Sequence, residues 1–141
     1  MTDDERRAIE ADCERLIKHY VNLNDALDWP AVAALYTEDA VFRRPSGGEA
    51  IVGREAILAS FLARPRRVQR HVIANVVVEA VDADHARAFC AILLYQGDPV
   101  SEGLPTMSAN SPLVGTFTDR LVRTPEGWRF AERVGGLDFK P

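Results

Sequence analysis

The order of the periodicities constrains this chain most. A helical repeat fills its opening, and strand-type segments separated by turn residues fill its second half. From Asp3 to Leu27 the apolar residues Ile9, Cys13, Leu16, Ile17, Tyr20, Val21 and Leu27 recur at three- and four-residue steps. Glu5, Arg6, Glu14, Arg15 and Lys18 occupy the opposite side, so an amphipathic helix is predicted. Asp28 reads as the cap of a second helix, with Pro30 in its first turn and an end at Leu35. Ala40 to Arg44 is a short strand, and a third helix follows Gly53, over Arg54 to Ala63. Strands are then predicted at Val68–Val81, Ala86–Gln96, Leu113–Arg123 and Gly127–Val134, with turn chemistry at Asp82-Ala83-Asp84 and Thr124-Pro125-Glu126-Gly127. Helices first and consecutive strands after them imply one α+β domain over residues 1–141, its helices packed on a curved, mostly antiparallel sheet.

Composition narrows the class of partner. The net charge is −4, spread along the chain, which argues against nucleic acid. No apolar run approaches the roughly 18 residues of a membrane span, and the acidic opening has no apolar signal core behind it. Two cysteines, Cys13 and Cys90, form no CxxC or Cys/His cluster, so neither a structural metal nor a disulfide framework is expected. A reducing, cytoplasmic setting is the simpler one. Arg64, Arg66, Arg67 and Arg70 cluster before the first long strand. A solvated turn is the default reading and an anion-binding patch the alternative. The segment from Asp98 to Pro112 is too long for a plain hairpin and is a candidate lid or subunit contact.

Two residues stand out for chemistry. Asp25 lies four residues after Val21 and eight after Ile17, at the border of the buried stripe, where aspartate is uncommon. His71 shares one face of its strand with Ile73 and Asn75, which suggests a partly polar cavity. Alternation leaves Val72, Ala74, Val76 and Val78 as an apolar face opposite His71, to be covered by a helix or another subunit. A buried carboxylate needs a partner, and an imidazole can supply one while keeping its other nitrogen as a base. Taken singly, a helix-end aspartate is more often a cap, and a strand histidine more often a surface residue. The other acidic residues read as caps, turns or surface. The aromatic residues Tyr20, Trp29, Tyr36, Phe42, Phe61, Phe89, Phe117 and Trp128 read as core, some of them as cavity wall.

Several segments resemble the SnoaL-like domains of the nuclear-transport-factor-2-like superfamily. They are Asn24-Asp25-Ala26-Leu27-Asp28-Trp29, Ala34 to Phe42, Gly53-Arg54-Glu55-Ala56-Ile57, the His71 to Asn75 step, Gly115 to Asp119 and Gly127-Trp128-Arg129-Phe130. Their order spans nearly the whole chain and implies a cone-shaped α+β barrel. Enzymes of that superfamily that it resembles are scytalone dehydratase and hexachlorocyclohexane dehydrochlorinase, lyases that use an Asp–His dyad. The resemblance implies catalytic roles for Asp25 and His71 and a cofactor-independent lyase or isomerase, with no metal, acting on a small apolar or aromatic molecule. Substrate contacts are expected from Tyr20, Asn24, Trp29, Tyr36, Asn75, Tyr95, Phe117 and Arg120; the resemblance implies a late cation at Arg120 or Arg123, which alternation places on opposite faces, so at most one of them reaches the cavity. It also implies a homo-oligomer, dimer or trimer, without nucleic acid or membrane. A non-catalytic binding module, or a structural subunit like the small subunit of ring-hydroxylating oxygenases, is the alternative on the same fold.

Overall fold

The computed structural model describes residues 1–141. Helix α1 runs Asp3–Asp25, α2 Trp29–Ala34 and α3 Arg54–Leu62. The strands are β1 Tyr36–Arg43, β2 Ile51–Val52, β3 Val68–Ala80, β4 His85–Gly97, β5 Leu113–Thr124 and β6 Gly127–Leu137. They form one six-stranded sheet in the order β2-β1-β6-β5-β4-β3. All neighbours are antiparallel except β1 and β6, which run parallel. The α+β architecture predicted from the sequence is therefore present, as a curved sheet that is not closed into a barrel. No helix is long and apolar enough to cross a membrane.

Local chemistry explains the element ends. Thr2 and Glu5 form a reciprocal capping box at the start of α1. The predicted helix to Leu27 ends two residues earlier, at Asp25. Leu27 adopts φ +60°, its N–H donates to Asn24 O, and the N–H of Asp28 donates to Leu23 O. This pair of bonds is a Schellman closure with leucine where glycine is usual. Asp28 then caps α2, its carboxylate accepting from Ala31 N–H at 3.2 Å. Strand β6 continues three residues past Val134 by pairing with β5 through Gly115↔Leu137, and the missing side chain of Gly135 lets Pro45 approach it. A Cβ on Gly135 would lie 2.6 Å from the ring of Pro45.

The inner face of the sheet packs on the stripe of α1. Ile9, Cys13, Ile17 and Tyr20 meet Ala86, Cys90, Phe117, Leu121 and Phe130 in one apolar cluster. Two expectations about faces fail here. The register of β3 against β4 slips between Ala74 and Val77, and Asn75 sits in the slip with φ +54°. This β-bulge reverses the alternation, so Val76 and Val78 turn inward onto the core while Val72, Ala74 and Val77 face outward. The predicted apolar face of Val72, Ala74, Val76 and Val78 is thus split between the two sides. Phe89, expected in the core, lies opposite Thr118 on the exposed outer face.

Candidate active site

The last residue of α1 meets the front of β3. Asp25 Oδ1 lies 2.6 Å from His71 Nδ1, and Asp25 Oδ2 accepts the backbone N–H of His71 at 2.8 Å. The carboxylate thus fixes both the strand and its imidazole. Arg70 Nη1 lies 3.7 Å from the same Oδ2, but its side chain is 70% exposed, against 3% for Asp25 and 11% for His71. With Nδ1–H donating to the carboxylate, Nε2 is left as the free basic nitrogen. His71 borders a cavity of about 240 Å³ between the helices and the inner face of the sheet, whereas Asp25 lies behind the imidazole and does not border it.

One wall of the cavity is aromatic. Trp29 stacks on Phe61 at 5.0 Å and 7°, and Phe61 stacks on Phe42 at 5.7 Å and 22°. Ile92, Leu94, Leu113, Phe117 and Leu137 contribute the sheet side. Polar groups enter from Asn24, Gln69 and Gln96, and the amide of Gln69 donates to Asn24 Oδ1 at 2.8 Å. Three arginines, Arg44, Arg64 and Arg67, complete the lining.

Of the residues expected to contact substrate, Tyr20, Asn24, Trp29 and Phe117 border the cavity. Tyr36 does not. It is buried behind Tyr20, and their hydroxyls are 2.7 Å apart. Burial raises both phenols above their ordinary range, so they remain a neutral hydroxyl pair. Asn75 is exposed and serves the bulge, a conformation asparagine adopts more readily than most residues. Tyr95 is paired with Arg70 on the outer side of the His71 alternation and does not reach the cavity. Arg120 is 56% exposed and pairs with Glu132 at 3.5 Å. Arg123 donates to Ala83 O and lies over Trp128, so neither late-strand arginine enters the site. The 98–112 loop also contributes nothing to the lining. It is tied beside β4 by Ser108 N–H to Gln96 O at 2.8 Å and by Ser108 Oγ accepting from Arg67.

A second buried carboxylate departs from the sequence expectations. Asp119, expected to be a cap, turn or surface acid like the other carboxylates, is fully buried with Arg133. Arg133 Nε and Nη2 donate to its two oxygens at 2.9 and 3.3 Å, and the guanidinium lies 3.8 Å from the centre of the Phe117 ring. Burial is the largest influence and opposes the arginine's charge, but Asp119 and the groups of Tyr20, Tyr36 and Cys90 around it together more than offset burial, so the guanidinium stays protonated. The sequence signal available was alternation: Asp119 falls in phase with Phe117 and Leu121. Cys13 and Cys90 are both buried. Burial pushes the Cys13 thiol up to about 12 and also raises Cys90, which leaves neither as a ready nucleophile.

Known proteins share this geometry at the level of the fold. A scytalone dehydratase-like protein of Novosphingobium aromaticivorans is similar in structure, with TM-score 0.75 and 20% identity over 92% of this chain and 83% of its own. An aromatic ring hydroxylase-like protein of the same organism gives TM-score 0.77 and 20% identity, covering 94% and 91%. A ketosteroid isomerase-like protein of Erwinia carotovora atroseptica gives 0.72 and 22%, covering 92% and 96%. At these identities the likeness is one of fold. No functionally curated protein matches the sequence. The sequence pattern of the SnoaL-like domain, however, matches residues 5–134, and the chain belongs to the SnoaL-like domain family.

Proposed function

We propose that the protein is a cofactor-independent lyase or isomerase in which His71 Nε2 takes a proton from carbon of a small apolar or aromatic substrate. Asp25 is the positioning residue. It selects the tautomer of His71 and stabilises the imidazolium once the proton has moved. The proton held on Nε2 can then return to another atom of the substrate, for an isomerase, or to a leaving group, for a lyase. The observation that supports the reading is the 2.6 Å contact between a sealed carboxylate and an imidazole at the cavity edge. A binding module or structural subunit has no need of that arrangement. General-base catalysis contributes on the order of 10²–10⁴-fold, and positioning in the apolar cavity supplies the remainder.

The test is a turnover screen on small polyketide-like and halogenated compounds, followed by His71→Ala and Asp25→Asn. The expected result is a loss on the order of 10²–10⁴-fold for His71→Ala with an unchanged circular dichroism spectrum. Full turnover by both variants would remove the dyad from the reaction. A change in melting temperature alone for Asp25→Asn would reduce Asp25 to a helix-end residue.

A further inference from the structure

The cavity is lined by three arginines and a histidine, and not one aspartate or glutamate borders it. The cations are incompletely answered elsewhere. Arg64 forms no ion pair or side-chain hydrogen bond, and its guanidinium lies 4.4 Å from the centre of the Phe61 ring and 5.9 Å from that of Trp29. Burial, and the charge of Arg44 beside it, lower the Arg64 guanidinium from its ordinary value. Arg44 donates through Nη2 to Ser60 O at 3.0 Å, while its buried Nε has no partner. Arg67 donates to Ser108 Oγ and meets the exposed Asp98 at 3.4 Å, yet its buried Nε is also unpartnered. Like charges on one cavity, partly removed from water and without a carboxylate bordering it, disfavour one another until an anion joins them.

We infer that the natural ligand of this cavity carries an anionic oxygen group, and that Arg44 and Arg64, assisted by Arg67, receive it while the apolar part of the molecule lies between Trp29 and the sheet-side residues Leu94 and Leu113. A carboxylate on a conjugated or aromatic frame fits best. Its two oxygens match a guanidinium fork, and an apolar frame matches the remaining lining of Trp29, Leu94 and Leu113. The volume of about 240 Å³ limits that body to one or two rings. This names the substrate class of the proposed function. It rests on the same cavity but does not require His71 to act as a base.

The probes are 2-naphthoate, its neutral isostere 2-naphthamide, and 2-naphthyl phosphate, each titrated calorimetrically against the full chain. The expected result is that the carboxylate binds at least about tenfold more tightly than the amide, as a charge-assisted hydrogen bond warrants. Added sodium chloride should weaken the acid and leave the amide unaffected. In Arg44→Gln and Arg64→Gln the preference falls below about threefold. Arg64→Lys keeps part of it, and His71→Gln keeps it whole. Tighter binding of the phosphate than of the carboxylate would keep the anion site and replace the head group. Equal binding of acid and amide, no saturable binding of either anion at millimolar concentration, or a preference that survives both glutamine variants would overturn the inference. Loss of the preference in His71→Gln alone would assign the anion to the imidazole and overturn it as well. Because these readouts are equilibria, a failure of the catalytic reading leaves them interpretable, and the converse also holds.

Discussion

Asp25 with His71, and Asp119 with Arg133, both pair a buried carboxylate with a nitrogen donor, yet they have different surroundings. The first lies where a helix end meets a strand, and one imidazole nitrogen remains unengaged beside the cavity. The second is closed on all sides. Both side chains are 0% exposed, and the rings of Phe117, Phe130 and Tyr20 surround the guanidinium. A buried pair whose groups face only each other acts on packing and strand register. A pair that leaves one proton-accepting atom on a cavity can act on a ligand. Burial of charge by itself therefore does not identify a reacting group; the direction of the free lone pair does.

That contrast can be broken first at the sealed pair. Arg133→Met leaves Asp119 as a lone buried carboxylate and is expected to cost about 3–5 kcal/mol in chemical denaturation. The double change Asp119→Leu with Arg133→Met should recover most of this, because an apolar pair of similar bulk carries no desolvation cost. A single variant as stable as the parent would mean that water reaches Arg133 and that the pair is not sealed.

The open pair responds differently. Asp25→Asn can still accept the His71 backbone N–H, but its amide NH₂ can turn toward Nδ1 and move the ring proton to Nε2. Stability should fall by only about 1 kcal/mol, the worth of one weakened hydrogen bond. Nitrogen NMR of labelled histidine should show the tautomer exchanged. An unchanged His71 tautomer would show that the carboxylate does not control the ring. The smallest effect on the His71 tautomer is expected from the tyrosine pair. Tyr36→Phe removes the partner of the Tyr20 hydroxyl and should cost about 1 kcal/mol in melting experiments without altering the tautomer. A shift in the His71 signals in that variant would mean that the open and the sealed pair are coupled through Tyr20, which packs on Arg133 and borders the same cavity as His71.

The element order and the helix cap at Asp28 were legible because they depend on residues close in sequence or on short repeats of three, four or two; Asp25 and His71 each stood out on its own element, and the resemblance to SnoaL-like domains is what paired them. The faces of β3 were less so. One extra residue at Asn75 inverted the pattern beyond it, and a bulge leaves little trace in composition apart from an asparagine in a strand. The arginines show the same limit. Arg64 and Arg67 look like a solvated turn in the sequence, and Arg44 lies twenty residues before Arg64, at the end of a short strand.

By itself, then, the sequence determined which segments are helix or strand and which helix-end acid and strand histidine to compare. The physical reason is that burial periodicity and capping are local. Only the tertiary structure decided which charges are sealed and which face a shared space. That depends on sheet curvature, on the register slip in β3, and on the approach of Pro45 to Gly135, none of which is encoded within a few residues.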